Sequence, residues 1–138
     1  MTTATPRLHQ IHALLANKGY EVTELDSNVL SAKETESGVS TRAVLQGDIL
    51  FCSVTCTVAP AKSITPEVMR IMLSSDNGIS TSHFQLYDTK DGNVAVTLNN
   101  FCKLQDMGEE DEDDILSCLH FLFVDVIQAL HLLGGKLQ

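Results

Sequence analysis

At 138 residues and 43% apolar content, the chain is long enough to bury one ordinary hydrophobic core without disulfide or metal staples. Its formal net charge of −9, with nine basic residues scattered along the sequence, argues against nucleic-acid phosphate or an anionic membrane as a partner. Six of the 18 acids form one run at 109–114, and without them the charge is about −3, so the acidity is largely a local feature.

The start, Met1-Thr2-Thr3-Ala4-Thr5-Pro6, has neither the basic opening nor the apolar centre of a signal sequence. The expected location is the cytoplasm, with four cysteines reduced and mostly buried. Thr5-Pro6 reads as a helix cap followed by a first-turn proline. Leu8, Ile11 and Leu15 then recur at helical spacing up to Gly19, which predicts a helix over 6–18. His9 and His12 fall on its polar flank and read as solvated or boundary residues.

Alternation at period two predicts short strands near 20–24 and 28–34, separated by the turn signal Asp26-Ser27-Asn28, and a third at 41–45. Beyond Gly47-Asp48, residues 49–58 are the clearest strand, with Leu50, Cys52, Val54, Cys56 and Val58 on one apolar face. Cys52 and Cys56 have the look of a ligand pair. On a regular strand, however, they stand about 13 Å apart, too far for one zinc ion, and they read as core residues.

Thr65-Pro66 repeats the cap-and-proline signature and opens a short helix over 66–74, with Val68, Met69, Met72 and Leu73 on its buried side. Asn77-Gly78 lies in the break that follows. Asp91-Gly92, set between alternating runs at 82–88 and 94–99, predicts an antiparallel hairpin.

The last segment is the most strongly patterned. Acids at 109–114 run into an apolar stretch from Ile115 to Leu133 that stops at Gly134-Gly135, giving a long helix with acids at its positive dipole end and a glycine cap at the other. Ser117, His120, Asp125, Gln128 and His131 interrupt the apolar run, which argues against a membrane span. The acids lack the alternating spacing of a calcium loop and read as a solvated helix start. Ile115, Leu119, Leu122, Val126, Ala129 and Leu133 fill the stripe of ~100° that a helix needs to lie on a sheet. Leu116, Phe123, Ile127 and Leu130 lie beside it, with Phe121 and Val124 beyond. That apolar arc is wider than one sheet face requires, so Leu116, Phe123, Ile127 and Leu130 are the candidate partner or dimer surface.

The fold class that follows is α+β, an antiparallel sheet with helices packed on one face in the order α-β-β-β-α-β-β-α, as a single domain. This order resembles the type III secretion chaperone-like fold, shared by CesT-type chaperones and the YbjN family of small bacterial proteins. The most telling stretch is 66–98: a capped helix, the polar break Ser74-Ser75-Asp76-Asn77-Gly78, then Phe84-Gln85-Leu86-Tyr87 and Val94-Ala95-Val96-Thr97-Leu98. The resemblance implies a non-enzymatic protein, often a homodimer, that binds a segment of another protein, with no cofactor and no fixed set of functional residues to transfer. No nucleophile elbow, phosphate loop or metalloprotease motif is present. The rival reading is a small-ligand sensor or an enzyme, in a profilin-like or roadblock-like arrangement, with a pocket between sheet and helices and His83 or His120 as its titrating group.

Overall fold

Two threonine hydroxyls start two of the helices. Thr5 Oγ1 accepts from the Leu8 amide at 3.3 Å and Thr65 Oγ1 from the Val68 amide at 3.2 Å, while Pro6 and Pro66 occupy first-turn positions where no amide hydrogen is needed. The computed structural model describes residues 5–137, so the residues ahead of Thr5 that were read for a signal sequence lie outside the described residues. The elements are α1 (Pro6–Asn17), β1 (Glu21–Asp26), β2 (Val29–Lys33), β3 (Ser40–Gln46), β4 (Ile49–Pro60), a 3-10 turn at Ala61–Ser63, α2 (Pro66–Leu73), β5 (His83–Asp88), β6 (Asn93–Lys103) and α3 (Glu109–Leu133).

The fold is α+β with a six-stranded antiparallel sheet in the order β1-β2-β3-β4-β6-β5. Four strands precede α2, giving α-β-β-β-β-α-β-β-α, because turns at Ser27-Asn28 and Gly47-Asp48 each close a hairpin. β1 and β5 are the edges. Each is six residues long; Glu21, Glu24 and Asp26 stand on β1, whereas β5 carries one acid, Asp88.

The chain divides into two compact units, one formed within Met1–Ser53 and Asn100–His120, the other within Val54–Asn99 and Phe121–Gln138. In the first, cross-strand partners place Leu30, Ala43 and Cys52 in one buried row, with Leu45 opposite Leu50 beside it. Leu8, Ile11 and Leu15 of α1 are buried, and α1 packs on β1 and β2. The other face of this part of the sheet is open. It carries Phe51 and Phe101, 40% and 59% exposed, with ring centroids 6.2 Å apart. Glu24 Oε2 faces Nδ1 of His9 at 3.0 Å and of His12 at 2.7 Å, so the two flank histidines share one carboxylate.

In the second unit, Val68 and Met72 of α2 pack with Val96 of β6 and Leu133 of α3, and Ile64, Phe84 and Leu137 close the cluster. The predicted hairpin forms with Gly92 at φ +83, the left-handed conformation that the tight turn requires. Gly78 allows a close approach: a Cβ there would stand 2.5 Å from Gln128 Nε2, which donates to the Asn77 carbonyl at 3.3 Å.

β4 departs from its expected pattern. Leu50, Cys52 and Val54 are buried as read, but Cys56 is half-buried, Val58 is 53% exposed and Ala59 is buried. The pleat changes phase near Cys56, so the strand turns its other set of side chains inward for its last residues. An alternation read on one sequence cannot register such a shift, because the apolar set Cys52, Val54, Cys56 and Val58 runs through it without a break.

The stripe on α3 is buried in full: Ile115, Leu119, Leu122, Val126, Ala129 and Leu133 are each at most 5% exposed. Truncating Leu122→Ala is expected to cost about 2–5 kcal/mol through lost contacts and a residual cavity. Urea denaturation should show this as a lower midpoint with an unchanged slope.

Candidate functional site

α3 has to satisfy two demands at once, because its inward side carries two acids as well as the apolar stripe. Asp111 is one of the six acids read as a solvated helix start, yet it is buried. Its Oδ2 accepts from the Gln105 amide at 2.8 Å and the Met107 amide at 2.7 Å. Those bonds hold the turn before α3, in which Met107 adopts φ 61, a left-handed conformation costly for a residue with a side chain.

Asp125 is only 1% exposed. Oδ1 accepts from the Ser80 amide and hydroxyl, both at 3.1 Å. Oδ2 accepts from the Thr81 and Ser82 amides at 3.3 Å and the Ser82 hydroxyl at 2.6 Å. Burial pushes the carboxyl up, but the hydrogen bonds, led by the Ser82 hydroxyl, outweigh it and hold the group below its ordinary 3.8. The loop before β5 is thereby strapped to the middle of α3.

The candidate surface falls on the flank of the helix beside the buried stripe. Ile127 and Leu130 are exposed, at 56% and 48%, and Val124 and Phe121 are exposed with them in the second unit. Phe123 is half-buried, and so is Leu116 in the first unit. Val124 and Ile127 stand on the side turned away from the buried stripe, so covering that stripe does not cover them. By length and composition α3 is long and apolar enough to cross a membrane. Its buried stripe and its buried, hydrogen-bonded Asp125 give it the character of a core helix.

An open groove of about 220 Å³ borders the surface, lined by Thr57, Leu130, Leu133, Gly134, Gly135 and Leu137. None of these six residues carries a titrating side chain, so the groove offers apolar shape and no acid or base. His83 is exposed on β5 opposite Asn99, and His120 is exposed on α3. Among the described residues, no group of three or more His, Cys, Asp and Glu side chains is set out to hold a metal ion.

The element order α-β-β-β-β-α-β-β-α, with strand order β1-β2-β3-β4-β6-β5, is a topology that can be compared with solved proteins. The chain is similar to the crystal structure of YbjN from E. coli, proposed as a transcription regulator, with a TM-score of 0.66 and 16% identity over 94% of this chain and 95% of that one. The fold is YbjN-like. No known protein family and no curated protein matches the sequence. At this identity the likeness to YbjN concerns the fold alone.

Replacing Asp125 by Ala leaves the donors of Ser80, Thr81 and Ser82 without their acceptor and is expected to cost about 3 kcal/mol in urea denaturation. Because its folded pKa is depressed, Asp125 contributes in full above the ordinary carboxylate value and loses that contribution as pH falls through the lower folded value. Stability of the native chain should therefore drop with acid below about pH 4 more steeply than that of Asp125→Asn.

Proposed function

We propose that the chain is a non-enzymatic protein-binding module, chaperone-like or regulatory, that pairs as a homodimer and binds a segment of another protein through the outward face of α3. The observation that carries this reading is the exposure of Val124, Ile127 and Leu130 on a helix whose inward stripe is already fully buried. Large apolar side chains in such a row on a folded surface favour association, since covering them removes apolar area from water. Leu130 belongs both to this face and to the groove at 133–137, so an apolar side chain from a partner could lodge there and continue the contact.

The YbjN likeness supports a small regulatory or binding role. The charge of −9 favours regulation by contact with protein over a grip on DNA phosphate. A cytoplasmic site of action fits the reduced cysteines.

Light scattering of the purified chain at tens of micromolar tests the reading. The expected mass is twice the 15.1 kDa of one chain, falling to a single chain in Ile127→Asp while the far-ultraviolet circular dichroism stays the same. A native chain that remains monomeric removes the homodimer, and a dimer unaffected by Ile127→Asp removes α3 from its interface.

A further inference from the structure

The open side of the sheet in the first unit holds an apolar row that crosses four strands. Val29 of β2 is opposite Val44 of β3, Val44 is opposite Phe51 of β4, and the Phe51 ring meets that of Phe101 on β6 at a centroid separation of 6.2 Å. Antiparallel partners share a face, so these side chains point away from the buried row of Leu30, Ala43 and Cys52. Three strand spacings make the row about 14 Å long. Val29 and Val44 are half-buried, and both phenyls are exposed.

The charges that flank the two phenyls on these strands are of one sign, in a chain with 18 acids and nine bases. Arg42 stands opposite Ser53, two residues along β4 from Phe51. Lys103 is two residues along β6 from Phe101, and the Leu104 amide donates to the Asp48 carbonyl at 2.6 Å, which sets that end of β6 beside the start of β4. Arg42 therefore lies on one side of the row and Lys103 on the other, four residue steps apart along the strands, or about 13 Å. Both are exposed, and neither side chain forms an ion pair or hydrogen bond among the described residues. The acids on this side, Glu21 and Asp26, stand on the margin strand β1, opposite Lys33 and Val29.

We propose that this row is a docking surface for an acidic segment of another protein, one with a large apolar side chain at its centre and a carboxylate on each side. An extended segment advances about 3.3 Å per residue, so acids four residues apart span from Arg42 to Lys103 while an apolar side chain between them lies on the phenyls. Covering that apolar centre supplies the attraction, and the flanking cations select acidic over basic segments. A symmetric pair of copies joined face to face here would gather two arginines and two lysines around the phenyls with no acid between them. Nucleic acid fits less well, because a strand sets a phosphate at every nucleotide against two cations, and Val29 and Val44 offer no ring for a base. The surface belongs to the first unit, whereas Val124, Ile127 and Leu130 of α3 belong to the second, so it is additional to the outward face of that helix.

The test titrates a peptide with the core Glu-Leu-Phe-Leu-Glu into the folded full-length chain and follows the amide chemical shifts. Shifts are expected to concentrate at 42–53 and 100–103, to weaken in high salt, and to persist in Ile127→Asp. A peptide with the core Lys-Leu-Phe-Leu-Lys should bind about tenfold more weakly or worse. The double variant Arg42→Glu, Lys103→Glu and the single variant Phe101→Ser should each weaken binding of the acidic peptide about tenfold or more, with unchanged circular dichroism because the replaced side chains are exposed. Should a variant fail to fold, the native shift map and the two peptides decide. Absence of binding overturns the inference, as does equal binding of the lysine peptide. Shifts confined to 121–137 move the peptide to α3 and overturn it while sparing the reading of that helix. Tighter binding of a thymidine oligonucleotide at 42–53 and 100–103 reassigns the face to nucleic acid. A fall in the mass of the chain alone in Phe101→Ser, read by light scattering, reassigns it to a second copy; either result overturns the proposal.

Discussion

A carboxylate can sit inside a protein only where donors replace the water it gives up, and the arrangement around α3 depends on meeting that condition twice. Asp111 takes its donors from the turn just before the helix, and Asp125 takes its own from Ser80, Thr81 and Ser82, more than forty residues earlier in the chain. Each requirement fixes a piece of irregular backbone. Neither would leave the helix free to roll about its axis, because a small rotation would carry the acid away from several donors together. The apolar stripe gives α3 its attraction to the core, while the acids give it an orientation. The outward face that Val124 and Ile127 occupy is defined by the same two residues that never reach it.

Much of this was legible from residue order, and the parts that were not share a cause. Capping at Thr5 and Thr65, the Asp91-Gly92 hairpin and the six-residue buried stripe are local patterns, in which cause and effect lie within a few positions. Asp125 reads in sequence as a polar interruption of an apolar helix. Only the folded chain brings it a loop, so its burial could not be inferred from its neighbours. Asp111 was hidden for the opposite reason, since five other acids around it share its chemistry and nothing in the run marks which one turns inward. Asn100 of β6 and the Cys118 carbonyl of α3 become hydrogen-bond partners by strand-to-helix packing, a relation with no sequence spacing to announce it. The breadth of the apolar arc on α3 was readable. Its division into half-buried Leu116 and Phe123 and exposed Ile127 and Leu130 was not, because that depends on what packs beside the helix.

The unequal edges of the sheet have a consequence for the crowded state of a cell. A strand edge presents unsatisfied amides and carbonyls to any other edge it meets, and fibrous growth begins when two such edges zip together. Two copies approaching through β1 in antiparallel fashion would set Glu21 and Asp26 of one against the same acids of the other, and like charges placed across strands repel. β5 has no comparable guard: it meets its own copy with Leu86 and Tyr87 exposed and a single acid at its end. Protection against runaway stacking is thus electrostatic at one margin of the sheet and, at the other, left to a strand only six residues long.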